Sequence, residues 1–253
     1  ALSVAGAAPT LALRLRASDP SGIVVDRLAG RTDRLPLDLV LSGTGPLGDW
    51  HGRLAASAGT LARVDAEVSL AAARDTALAI SGTAELAALL PAPLAPVFGE
   101  RVPVSLNASQ RQTGAIAIDR LSVELAAGSL TGEAAFGGPD RAISAHLVAR
   151  LPDVAPLGRL FGAPVAGSAE ITAIISGTED RPSLEIAAAG DGLQLADGGA
   201  QHSQARLSVT PAGDPAEPTA QIDIAAQGQI RGVILPPGIA RAPGLGEDFD
   251  WSF

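Results

Sequence analysis

No cysteine, methionine or tyrosine occurs among the 253 residues, and aromatic residues make up only 3%. The missing thiols exclude disulfides, thiolate metal sites and cysteine nucleophiles. Lysine is missing too, so all 18 basic side chains are arginines, as GC-rich coding favours. An excess of positive charge is also lacking, the formal net charge being −9. That balance argues against nucleic acid as a partner, which needs a basic footprint, and against adsorption to anionic headgroups. No apolar run reaches the roughly 20 residues of a membrane-spanning helix. The chain starts at Ala1 without a signal-peptide layout, and it is expected to be a segment of something longer.

What is present in quantity is aliphatic carbon. Hydrophobic residues reach 47%, yet the large rings that shape most cores are scarce. Leu, Ile, Val and Ala therefore supply nearly all the apolar surface. They are laid out in short runs that alternate with polar residues and end in Gly-, Pro-, Ser- or Asp-rich turns. Arg63-Val64-Asp65-Ala66-Glu67-Val68-Ser69-Leu70 is the clearest run. Period-two alternation gives a strand one greasy and one wet surface. Strands are expected around 11–17, 23–28, 35–42, 51–57, 62–70, 76–82, 102–109, 114–119, 121–126, 129–136, 142–151, 168–176, 183–188, 193–197, 203–210, 219–227 and 229–235. Such spacing suits a meander, sandwich or solenoid. The apolar phase flips near Asp119-Arg120, where a turn or bulge would restore the face.

Two segments interrupt the strands with the frame A-P-L-x-x-(V/L)-F-G: Ala92 to Gly99 and Ala155 to Gly162. Each is soon followed by Pro-Val, at Pro103-Val104 and Pro164-Val165. Leu86, Leu89, Leu90 and Leu94, and then Val154, Leu157, Leu160 and Phe161, have helical spacing. Short helical inserts are expected near 84–98 and 153–161. Ser-Gly-Thr also recurs, at Ser42, Ser81 and Ser176, as stacked supersecondary units would. One repeating segment, 1–235, is expected, with a tail or linker at 236–253.

Motifs with chemical content are few. Gly43-Thr44-Gly45-Pro46-Leu47-Gly48 matches G-x-G-x-x-G, with Asp65 and Glu67 downstream. Gly52 and Gly59 interrupt the helix that should follow, and the next strand alternates, unlike a buried parallel strand. A glycine-rich turn is the expected identity. Gly190 to Gly199 is similar to a single calcium-binding nonapeptide, but such sites need tandem copies, so a pair of β-turns is expected. His51, His146 and His202 sit in no ligand spacing, with His146 on the polar side of its strand. Asp38, Asp65, Glu67, Glu124, Glu133, Glu185 and Asp223 fall on polar phases, as solvated carboxylates do. Trp50 and Trp251 each follow an Asp and read as packed loop residues or rim anchors. With no nucleophile elbow, acid–base pair or metal cluster, no enzymatic activity and no cofactor is expected.

The phrases Leu41-Ser42-Gly43-Thr44-Gly45-Pro46-Leu47-Gly48-Asp49-Trp50-His51-Gly52-Arg53-Leu54 and Ile175-Ser176-Gly177-Thr178-Glu179-Asp180-Arg181-Pro182-Ser183-Leu184-Glu185-Ile186 resemble the TamB family, the AsmA-like inner-membrane components of the translocation and assembly module. The two A-P-L-x-x-(V/L)-F-G segments also resemble it, and its alphaproteobacterial members in particular. The resemblance covers most of residues 30–235. It implies an all-β fold: a long sheet curled lengthwise into a taco-like groove, apolar inside, with one or two short helical inserts. It further implies a periplasmic location, anchored to the inner membrane in the full-length protein. A BamA-type outer-membrane barrel similar to TamA would be the partner, reached through a carboxy-terminal region this chain lacks. Such proteins are implicated in moving phospholipids to the outer membrane and in outer-membrane protein assembly.

On that view the groove would be lined by Leu37, Leu39 and Leu41; Val64, Val68 and Leu70; Leu78 and Ile80; Val104 and Leu106; Ile116 and Ile118; Leu147; Ile171; Leu184 and Ile186; Leu207 and Val209; and Ile222 and Ile224. Its guests would be phospholipid acyl chains. Two other functions compete. One is a chaperone-like scaffold that binds unfolded outer-membrane protein strands by edge pairing or along the groove. The other is a structural β-solenoid or adhesin segment whose apolar face is its own dry core.

Overall fold

The computed structural model describes residues 10–21, 35–46, 48–196, 198–212, 221–235 and 248–253. The strand expected at 23–28 lies outside the described residues. Among the described residues the fold is all-β, a single open antiparallel sheet of fourteen strands in sequence order. The strands are β1 (Thr10–Asp19), β2 (Leu37–Pro46), β3 (Trp50–Ala58), β4 (Ala62–Ala72), β5 (Thr76–Glu85), β6 (Val102–Gln110) and β7 (Ile116–Leu125). Next come β8 (Gly128–Gly137), β9 (Ala142–Leu151), β10 (Val165–Thr178), β11 (Arg181–Leu195), β12 (Gly198–Ala212), β13 (Gln221–Ile234) and β14 (Phe249–Ser252). The sheet does not close, because β1 and β14 stand at opposite edges.

Directly opposed residues of an antiparallel pair project to the same side, so the register fixes which residues share a face. Leu41 opposes Leu54, Leu54 opposes Ala66, Ala66 opposes Gly82 and Gly82 opposes Val104. Val104 opposes Val123, Val123 opposes Leu130, Leu130 opposes Ala149 and Ala149 opposes Ile171. Ile171 opposes Ala188, which opposes Ala205, which opposes Gly228. An unbroken apolar face thus runs across the sheet. Its reverse carries Asp65, Ser81, Ser105, Ser122, Thr131, Arg150 and Glu170, and is polar.

Three strands expected as separate pairs are continuous. The 114–119 and 121–126 segments form β7, where the register shifts between Ile118 and Leu121. The bulge takes up Asp119 and Arg120 and keeps Ile118 and Leu121 on one face, as the phase flip predicts. The 183–188 and 193–197 segments form β11, in which Gly192 adopts φ 59°. Only the second of the two turns expected between Gly190 and Gly199 therefore exists, since the strand passes through Gly192 as a distortion. The 219–227 and 229–235 segments form β13, and the segment expected as a tail supplies an edge strand, β14.

Both helical inserts are present but are single turns: α1 (Ala95–Phe98), a 3₁₀ turn (Ala155–Leu157) and α2 (Gly158–Phe161). They leave the sheet between β5 and β6 and between β9 and β10, at the same end of the strands, and they touch each other. Ala127 N donates to Val97 O at 3.1 Å and Ala126 N to Phe98 O at 3.3 Å, which docks the first insert on the β7–β8 turn. Val154 N donates to Gly167 O at 3.0 Å and ties the second to β10. Leu86 and Leu89 pack on Ala58 and Ala62 of the apolar face. Val97, Val102, Ala127 and Val154 are buried at this end. A carboxylate placed there has no counter-charge, so Val102→Asp is expected to lower unfolding free energy by about 3–5 kcal/mol. Ser105→Asp on the polar face should change it by less than about 0.5 kcal/mol. Urea unfolding of the two variants measures the contrast.

Candidate functional site

The register places all twenty of the aliphatic positions singled out above on the apolar face. Val68 alone of them is buried, while Ile116, Ile171, Ile222 and Ile224 are exposed and the remainder half-buried. No large side chain among the described residues is fully buried. A closed solenoid with a dry core, one of the readings open at the level of sequence, is excluded by this exposure. The candidate site is a surface, and its hydrocarbon is only half covered.

Both tryptophans belong to this face and to strands, not to loops. Trp50 opens β3 and lies across Gly43 and Gly52, where an added Cβ would overlap its ring. The ring fills the slot left by two glycines that lack side chains of their own. It is almost wholly buried, and its Nε1 has no hydrogen-bond partner among the described residues. Trp251 of β14 lies over Gly228 in the same way. The G-x-G-x-x-G segment is thus a β2–β3 hairpin with no helix behind it, as the glycine-rich turn reading expects.

The reverse face carries the charge. Asp38, Asp65, Glu67, Glu124, Glu133, Glu185 and Asp223 all project there, as their phases predict. Exposed ion pairs bridge neighbouring strands: Arg53–Glu67 at 3.9 Å, Arg150–Glu170 at 2.8 Å and Arg231–Asp250 at 2.7 Å. His202 Nδ1 lies 2.6 Å from Asp191 Oδ1, and His51 Nε2 lies 2.9 Å from Asp49 Oδ1. His146 faces Glu133 in register but joins no cluster. Among the described residues no group of His, Asp and Glu could hold a metal ion. A hollow of about 810 Å³ opens on the polar side of β10–β14, between Glu170, Thr172, Gln204, Arg206 and Gln227. Sequence reading missed it, because only the register sets these residues side by side.

Taken together, the geometry defines a one-layer, open β-sheet with an aliphatic face and a charged face. Comparison with protein-family models, with curated proteins and with solved structures gives no match. No helix among the described residues is long and apolar enough to cross a membrane.

Arg63 Nε donates to Asp65 Oδ2 at 2.6 Å. That hydrogen bond, more than the charge itself, holds the Asp65 carboxyl below its ordinary value and raises Arg63. A depressed carboxylate stabilises the fold above its unfolded-state pKa, and this contribution is lost as pH falls through the folded value. Arg63→Gln is expected to move the Asp65 midpoint up towards the ordinary range and to flatten the acid limb of stability against pH. Carboxylate NMR titration and acid unfolding read the two effects.

Proposed function

We propose that this chain works as a binding scaffold that holds extended, alternating polypeptide strands, such as those of unfolded outer-membrane proteins, on its aliphatic face and along its free edge. The observation that carries the reading is a continuous aliphatic face left half-exposed on an open sheet. Covering the remaining half of a Leu, Ile or Val side chain contributes on the order of 1 kcal/mol. Some fifteen to twenty such contacts, at about 1 kcal/mol each, match or exceed the roughly 4–15 kcal/mol lost on association. Strands of outer-membrane barrels alternate apolar and polar residues, so each offers one apolar side to such a face. The resemblance to the TamB family supports a periplasmic setting, inner-membrane anchoring of the whole protein and a BamA-type barrel partner.

A second reading is favoured by one observation, that the twenty positions are all Leu, Ile or Val. A smooth hydrocarbon wall accepts acyl chains without fixing their geometry. A tail of about sixteen carbons faces on the order of 12 kcal/mol on entering water. The strands of nine to eleven residues that carry most of the face reach roughly 30–36 Å, enough to lay such a tail along one lane.

Photo-crosslinking side chains at Leu39, Leu106 and Leu207 separate the two. Adducts to nascent barrel strands are expected on the scaffold reading. Adducts to phospholipid alone would replace it with the groove reading, and the absence of both would sink the two together. Leu106→Glu, at a half-buried position, is expected to leave the fold intact by circular dichroism and to reduce adducts at Leu39 severalfold.

A further inference from the structure

The two edges of the sheet are unlike. β14 is four residues long, and the acids on and beside it are engaged: Asp250 bonds Arg231 at 2.7 Å, and Asp248 accepts from Gly232 N at 3.2 Å. β1 runs for ten residues, all in unbroken register with β2, and is exposed along almost its whole length. Its charged side chains aside, it lacks the devices by which edge strands discourage pairing: it has no proline, no bulge and no brevity. Its outer side pairs with nothing among the described residues.

β1 is also patterned on its two sides. Leu11, Leu13 and Leu15 continue the apolar face, 37%, 38% and 51% exposed. Arg14 and Arg16 project to the polar face and make no ion pair among the described residues. They are neighbours on that face, two residues apart. The nearest acid by register is Asp38, opposite Ser18. The chain as a whole is acidic, yet at about 0.1 M salt charges more than about 10 Å away are largely screened. An incoming strand therefore meets the local pair of arginines, not the net charge.

We infer that β1 is a β-augmentation edge selective for an extended polypeptide segment in which acidic residues alternate with aliphatic ones. Its backbone would extend the ladder, its aliphatic side chains would lie beside Leu11, Leu13 and Leu15, and its acids would oppose Arg14 and Arg16. Opposite charges facing across strands stabilise pairing and like charges oppose it. The inference rests on the scaffold reading and adds to it the chemistry of the accepted segment.

Binding of blocked peptides as long as β1, measured by fluorescence anisotropy, tests it. A valine–glutamate alternating peptide is expected to bind about tenfold tighter than its valine–lysine counterpart at low salt. The advantage should shrink at 1 M salt, disappear on N-methylation of the glutamate peptide, and reverse in the Arg14→Glu/Arg16→Glu double variant. These are exposed positions, so folding is not at stake. Equal affinity for both peptides, or a preference unchanged by the double variant, overturns the inference. Binding of a valine–threonine peptide that crosslinks to Leu106 but not to Leu13 removes the edge and leaves the scaffold reading standing. No binding of any peptide removes both. Concentration-dependent oligomers of the protein alone, abolished by the double variant, would assign the edge to a second copy and overturn the inference as well.

Discussion

A strand's side chains alternate without exception, so a sheet keeps one apolar face only if every strand enters in the same phase. A one-residue slip sends the whole aliphatic set to the other side. In this chain the phase is carried through thirteen consecutive pairings. Where the sequence departs from it, at Asp119 and Arg120, a bulge absorbs the extra residues and returns Leu121 to the side of Ile118. The other properties of the molecule follow from that register. They include the segregation of charge to one face, the lanes of Leu, Ile and Val on the other, and the adjacency of residues far apart in sequence.

A single layer leaves much hydrocarbon uncovered, so stability must come largely from within the sheet. The antiparallel ladders satisfy the backbone, and three or more strands with an apolar face hold together where a lone hairpin would not. Small residues on the apolar face let neighbours lean over them, as Trp50 does over Gly43 and Gly52. The ion pairs of the polar face are exposed and individually weak. Arg53–Glu67, Arg150–Glu170 and Asp191–His202 join directly opposed residues and favour this register over a shifted one. The inserts add a concentration of buried side chains, where Leu86 and Leu89 meet Ala58 and Ala62 and where Val97 docks on the β7–β8 turn.

Much of this was legible in the residues because alternation is a local signal. Arg63 to Leu70 announces its strand, its apolar side and its charges without reference to any neighbour. Where legibility failed, the cause was non-local. Gly192, read as a turn, lies within β11 because β10 and β12 hold the chain extended on either side. Phe249 to Ser252 lacks a strand's usual flanks and is ordered by pairing with β13, where Gly228 makes room for Trp251. The inserts show both effects. Their spacing announces helix, but segments flanked by proline and glycine propagate only one turn, because nucleation is costly and neither α1 nor α2 has a side-chain cap. The polar hollow beside Gln204 and Gln227 has no sequence signal, since it exists only through register.

The placement of the inserts gives the apolar face a direction. All the long connections among the described residues, those carrying α1 and α2, lie at one end of the strands, and the β4–β5, β6–β7, β8–β9 and β10–β11 turns lie at the other. At the insert end Val102 and Ala127 are buried, whereas at the turn end Ile116, Phe136, Ile222 and Ile224 stand exposed. Hydrophobic attraction scales with the area still accessible to water, so between β6 and β9 the attraction left in the sheet is weighted toward the turn end. An occupant lying along the strands gains most there and meets already packed residues at the far end. The same inserts that complete the fold thereby cover the apolar face at their own end of these strands, while beyond them, in β13, Ile234 stays 43% exposed at that end.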